Sequence, residues 1–264
     1  MSKIINYSIG SDIEFFLMDK NGKSISGEGI IPGEKYDPYV IDGHRTISLD
    51  NVSAEVTINP VTDKQSFVEE INFMKHVISD LVEEKGLFLD IYPARMFDAE
   101  QVNTPHAQLL GCSEDYNIRL FCVNPRPDVT NFNGRSSGGH IHTAWENFDI
   151  EDAKKLIYQY DKNLALPMLF IEPETFRRRL YGKSSCVRLK EYGEVSGIEY
   201  RTLSNWFTSS NELMEFVWEG IIKSINSVNN DEPIEDWEVI CEAIDTSNME
   251  LARQLMSKYN VQSL

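Results

Sequence analysis

The chain has 264 residues, 41% of them hydrophobic and 25% charged, an ordinary balance for one large or two small water-soluble domains with a substantial core. A net charge of −17 argues against a nucleic-acid partner, since binding a phosphate backbone needs clustered Lys and Arg. No apolar run approaches the roughly 20 residues that span a bilayer, and the start lacks the apolar stretch of a secretory signal, so no membrane is expected and the expected location is the cytoplasm.

From about residue 6 to 60, short alternating runs are broken by Asn21-Gly22, Pro32-Gly33 and Asp42-Gly43, the pattern of an antiparallel meander. The period then changes. From Ser66 to about Lys85, Phe67, Ile71, Met74, Ile78, Leu81 and Val82 recur at helical spacing, with Gly86 as the stop. Leu87 to Tyr92 resumes a strand that Pro93 ends. Residues 98 to 137, with Pro105, Gly111, Pro125, Pro127 and Gly134, read as long loops. Asp149 is placed to cap a helix from Ile150 into the 160s, with Pro167 and Pro173 interrupting the chain beyond it.

Arg177-Arg178-Arg179, with Lys183, Arg188 and Lys190 close behind, is the one basic cluster in an acidic chain. It reads either as a helix end whose cations offset the dipole or as a site for a phosphate or carboxylate. Ser185 to Lys190 and Gly197 to Trp206 form a hairpin through Tyr192-Gly193-Glu194. Asn211 to Ser227, Ile234 to Ala243 and Asn248 to Lys258 are amphipathic helices, expected to pack across the sheet's apolar side. With no internal repeat, low-complexity tract or linker, residues 1–264 read as one domain with a helical segment from about 210. Cys112, Cys122, Cys186 and Cys241 lack metal-binding spacing and read as reduced thiols.

Four segments place ionisable or hydrogen-bonding side chains at every second residue: Asp12-Ile-Glu14, Ser53-Ala-Glu55-Val-Thr57-Ile-Asn59, His140-Ile-His142 and Glu199-Tyr-Arg201. In a strand each set projects from one side, while Ile13, Phe15, Ala54, Val56, Ile58, Ile141, Ile198 and Tyr200 project from the other. The plain alternative is a solvated antiparallel face, which alternates for no further reason. Paired histidines and an Asp-x-Glu are unusual choices for such a face. Carboxylates, imidazoles and a guanidinium on one surface call for partners, and divalent cations with a polyphosphate match that chemistry.

The sequence lacks a Gly-x4-Gly-Lys-Ser/Thr loop, a dinucleotide loop and a Gly-x-Ser-x-Gly elbow, which argues against those nucleotide-binding and serine-hydrolase mechanisms. His140-Ile-His142 with Glu146 also matches the first metal motif of cupins, so a cupin-like transition-metal enzyme is an alternative.

The order and identity of these segments resemble the bacteriophage-type carboxylate–amine ligases called amidoligase type 2, of the glutamine synthetase and glutamate-cysteine ligase superfamily. The resemblance rests on Gly10-Ser-Asp12-Ile-Glu14-Phe-Phe, Ile-Pro32-Gly33-Glu-Lys35, Asp50-Asn-Val-Ser-Ala-Glu55, Gly111-Cys-Ser-Glu-Asp115-Tyr-Asn117, Arg135-Ser-Ser-Gly-Gly-His140-Ile-His142 and Glu199-Tyr-Arg201-Thr-Leu-Ser204-Asn205. It runs from about 8 to 210, leaves the helical tail out, and departs from the family pattern at Lys183 and Ser184. It implies an α+β fold, a curved antiparallel sheet whose polar concave face holds ATP and divalent metal, with helices on the convex face. The implied reaction phosphorylates a carboxylate and lets an amine displace the phosphate.

Carried onto this sequence, the resemblance implies Asp12, Glu14, Glu55, His140 and Glu199 as ligands for Mg²⁺, with Mn²⁺ tolerated by the histidine. It implies Arg201, Arg188 and Glu55 at the reacting groups. His140, His142, Arg135, Arg201 and Lys183 are implied at the nucleotide, Arg135 holding a substrate or nucleotide anion or, as a loop arginine, facing solvent. The partners are small-molecule or peptide carboxylates and amines, in the cytoplasm of an infected bacterium if a phage encodes the chain. A non-catalytic phage-associated binding protein on the same fold is the further alternative.

Overall fold

The computed structural model describes residues 3–108, 115–125, 127–129 and 131–262. In chain order the strands are β1 (Ser8–Met18), β2 (Ser24–Ile25), β3 (Tyr39–Asp42), β4 (Arg45–Asp50), β5 (Ser53–Thr57), β6 (Phe88–Asp90), β7 (Ala94–Met96), β8 (Tyr116–Asn117), β9 (Cys122–Val123), β10 (Gly134–Ser136), β11 (Gly139–Trp145), β12 (Cys186–Tyr192) and β13 (Val195–Tyr200). The main sheet is antiparallel, in the order β3-β4-β5-β1-β11-β13-β12-β8-β9, with β2 and β6 both pairing the far end of β1. The first strands are therefore not a simple meander. β1 lies in the centre, between β5 and β11, because its eleven residues are nearly all buried while β3 is short and exposed and suits an edge.

Register brings the polar positions together. Asp12 lies opposite both Thr57 and His140, Glu14 opposite Glu55, His142 opposite Glu199, and Glu199 opposite Arg188. Directly opposed residues share a face, so the alternation read from sequence becomes one polar surface across five strands. The other surface carries Ile13, Phe15, Val56, Ile141, Ile198 and Tyr200, all fully buried in one core.

Helices cover that apolar surface: α1 (Lys64–Glu83) packs on β1 and β5, and α4 (Ile150–Tyr160) on β13. Asp63 caps α1 by accepting from Ser66 N, and Asp149 caps α4 by accepting from Glu151 N. After α2 (Ala99–Val102) and α3 (Pro105–Gln108), the α4 path continues through a π-helical turn, Asp161–Ala165, into α5 (Leu166–Ile171). Pro167 sits just after the π turn, whose wider winding lets the helical path run on through it where interruption was expected. α6 (Arg177–Leu180) is a single turn, while α7 (Asn211–Asn229) lies against α1 and α4. α8 (Trp237–Asp245) and α9 (Met249–Tyr259) pack on α5 and each other, α8 also on the π turn, in a layer beyond the sheet-facing helices. Cys122, Cys186 and Cys241 are free thiols, whereas Cys112 lies outside the described residues.

Candidate active site on the polar sheet face

Glu14, Glu55 and His140 each offer a ligand atom within 4.8 Å of the other two, and they form the one such group of acids, histidines or cysteines among the described residues. β1, β5 and β11 supply one each. Glu14 is held from the chain: its Oε2 accepts from Gly138 N (2.7 Å), and Asn205 Nδ2 donates to its backbone oxygen (2.8 Å). Burial and the nearby Asp50 push the Glu14 carboxyl up to about 7, against an ordinary value of 4.5. Burial with Asp50, Asp12 and Glu14 raises Glu55 well above its ordinary range. Burial and Arg201 keep His140 neutral, with its pKa far below the usual one. Two acids short of counter-charge beside an unprotonated imidazole form a donor set that fits a divalent cation, Mg²⁺ by its oxygens and Mn²⁺ by its nitrogen.

Glu199 is placed differently from a ligand. Its Oε1 meets Arg201 Nη1 and lies 3.2 Å from Arg188 Nη1, its Oε2 lies 2.8 Å from Lys190 Nζ, and His140 Nδ1 is 3.5 Å away. Burial alone would raise the Glu199 carboxyl, but Arg201, with His142 and Arg188, outweighs it and holds it well below the carboxylate range. Arg201 Nε in turn donates to Asp115 Oδ1 (2.6 Å). Glu199 and Asp115 thus fix a cluster of cations beside the three-ligand group. Asp12 stands one position further along, its Oδ2 3.1 Å from His142 Nε2, and Tyr192 Oη lies 2.7 Å from His142 Nδ1.

The remaining predicted residues separate. Arg135 is not on a solvent-facing loop but in β10, 3% exposed, donating to Asn51 Oδ1 and to the carbonyls of Phe132, Gly134 and Ala107. It still borders a small cavity of about 40 Å³ with Glu14, Asp50, His140, Arg177 and Arg201. Lys183 stays outside this group, exposed on the wall of a neighbouring cavity of about 160 Å³ that Arg179 and Asp115 also line. The basic cluster splits: Arg177 is buried and donates to the carbonyls of Ser137, Thr202 and Leu203, while Arg178 pairs with Glu172 at 2.9 Å. Glu146 of the cupin-like pattern binds Asn6 on the surface and stays away from the ligand group.

Sequence reasoning gave Tyr192 no part in the site and named Lys190 only within the basic cluster. Both follow Arg188 at period two on β12, so the rule that found the other strands identifies them as well.

An antiparallel sheet with helices on its apolar side and a cation-ready group of acids and histidine on its polar side defines an α+β protein whose polar face carries a candidate active site. Residues 90–256 match the model of the phage phiEco32-like COOH.NH2 ligase-type 2 family, and the chain belongs to that family. The match takes in α7, α8 and most of α9, which the sequence resemblance left out, and it begins after the strands that carry Asp12, Glu14 and Glu55. No curated protein sequence matches. Among solved structures, a cryo-EM structure of Plasmodium falciparum glutamine synthetase is similar over 87% of this chain and 53% of its own, at 12% identity and a TM-score of 0.48, so this chain spans about half that protein's length.

Proposed function

We propose that the protein is an ATP-dependent carboxylate–amine ligase that activates its carboxylate as an acyl phosphate. The observation that carries this reading is the meeting of Glu14, Glu55 and His140 on one face beside the Glu199-bound cations Arg201, Arg188 and Lys190. Glu14 and Glu55 would supply oxygens to a divalent cation and neutral His140 a nitrogen. When bound, that cation supplies positive charge against the phosphates of ATP. Arg201 and Arg188 neutralise the phosphoryl group during its transfer from ATP to the substrate carboxylate. Glu199 and Asp115 keep the arginine groups pre-oriented, so little reorganisation is needed at that moment. An amine then attacks the acyl carbon, phosphate departs, and the amide remains. An open mouth of about 800 Å³ is lined by the cations Lys35, Arg188 and Lys190 together with aromatic and aliphatic side chains, among them Tyr36, Phe121, Ile150 and Leu189, a mixture that offers cations to phosphate oxygens and an apolar surface to a base.

The test incubates the protein with ATP, Mg²⁺ and panels of carboxylates and amines. ADP and phosphate are expected only where both substrates are present. Glu14→Ala is expected to abolish cation-dependent ATP binding in calorimetry while leaving the far-UV spectrum intact. Failure of the parent protein to bind ATP with either Mg²⁺ or Mn²⁺ would remove the reading. ATP binding without turnover on any pair would leave a binding protein on this fold.

A further inference from the structure

Along the polar face the side chains change character within one or two positions of Asp12. On β1 the acids Glu14 and Asp12 give way to Gly10 and Ser8, and on β11 His140 and His142 give way to Ala144. Ser8 lies opposite Ala144 and Gly10 opposite His142, so beyond His142 the floor carries only small side chains. Above it is a cavity of about 580 Å³, walled by His44, Thr57, Pro60 and Tyr192. That volume falls within the usual range for sites that bind small organic molecules.

We propose that this cavity takes the amine substrate, an organic primary amine the size of an amino acid or larger, with its ammonium group against the Asp12 carboxylate. The proposal rests on the ligase function and names the substrate class of that same site. Three observations carry it. Lys190 on the cavity wall is turned to Glu199 Oε2 at 2.8 Å, and Asp12, paired with His142, is the acid among the residues that line the cavity. Asp12 keeps part of its side chain open, 17% exposed on the cavity wall, with His142 as its ion-pair partner at 3.1 Å from Oδ2. Asp12 is also the cross-strand neighbour of His140 and two residues from Glu14, so an amine held there lies next to the group read as the phosphoryl-transfer centre. A polyphosphate beside this carboxylate is repelled, and ammonia leaves nearly the whole volume unfilled.

Substitutions that fill the floor test this without touching the ligand group. A Cβ at Gly10 meets only His142 Cβ, at 3.5 Å, so a larger side chain has open space ahead of it. The probes are L-alaninamide, L-lysine, putrescine and tyramine, with N-acetyltyramine and ammonium chloride as comparisons, read by ligand-detected NMR on the full chain. ATP affinity with Mn²⁺ is measured in parallel. At least one organic amine is expected to bind and N-acetyltyramine is not. Gly10→Leu and Ala144→Leu, placed on separate strands so that misfolding of one leaves the other, are expected to weaken that amine about ten-fold or more with ATP affinity unchanged. Asp12→Asn is expected to weaken it similarly. Amine binding indifferent to both filling variants would overturn the proposal, as would binding of ammonium alone or of none of the set. Loss of ATP affinity in Gly10→Leu would assign the cavity to the nucleotide instead. Absence of ATP binding in the parent protein would sink the ligase reading itself.

Discussion

Burial and Asp50 push the Glu14 carboxyl up to about 7, so the ionised form is disfavoured in the fold. The unfolded carboxyl titrates near 4.5. Stability from this group is fully present below about 4.5 and lost as the pH rises through about 7, a fall on the order of 3 kcal/mol from this carboxyl. Thermal melts of chelator-treated protein are therefore expected to drop between about pH 4.5 and 7, and Mn²⁺ is expected to remove most of that drop; a flat profile would show that the acids are already compensated. Glu55 carries the same strain among Asp50, Asp12 and Glu14. Glu55→Gln is expected to stabilise the metal-free protein by about 1–2 kcal/mol and to erase the Mn²⁺ effect, because a site that binds a cation holds repulsion in its absence. These side chains were legible from sequence because period two fixes which side of a strand a residue takes. Arg201 was legible as a partner of Glu199 on the same period-two set, but Arg188 and Lys190 were not, since they depend on which strands become neighbours. Nor was the burial of Arg135, whose contacts are almost all backbone carbonyls that no side-chain pattern announces.

Among the elements, the β11–β13 pairing decides whether the site exists, because it sets Glu199 opposite His142. Gly197 on β13 makes the close approach possible: a Cβ there would stand 2.3 Å from Thr143 O and 2.7 Å from Ala144 Cα, both backbone of β11. Gly197→Ala must part the strands, with an expected loss of about 2–4 kcal/mol in urea unfolding together with loss of cation binding. Gly193 in the neighbouring hairpin turn has φ +69° and open space around it, so Gly193→Ala is expected to cost only about 1 kcal/mol and to leave the site intact. Equal effects of the two would refute the wedge argument. Helices α1, α4 and α7 were readable because their apolar periodicity runs through several turns and, for α4, an Asp cap marks the start. The region from 98 to 137 was not, as its strands of two or three residues are too short to show a period and exist through pairing with distant segments.

For the whole molecule, the helical tail completes the core beneath the site. Asp161 is fully buried at the π turn, accepting from Ser185 N and Tyr200 Oη on one oxygen and from Ser185 Oγ and Trp237 Nε1 on the other. Burial pushes its carboxyl up to about 6 despite these donors. Tyr200 and Ser185 flank the Glu199–Arg201 and Arg188 strand positions, so this network ties α8 to the rear of the active face. α8 also buries Trp237, Ile240 and Ile244, each contributing roughly 1.5–3 kcal/mol. Truncation after Asn230 removes that burial and one of the four donors to a buried carboxylate, a loss of about 5 kcal/mol or more from a fold whose total stability is on the order of 5–15 kcal/mol. The truncated chain is expected to lose its cooperative thermal transition and its cation-dependent ATP binding together. A truncated chain that still melted cooperatively within about 3 °C of the parent would show that the tail neither completes the core nor supports the site.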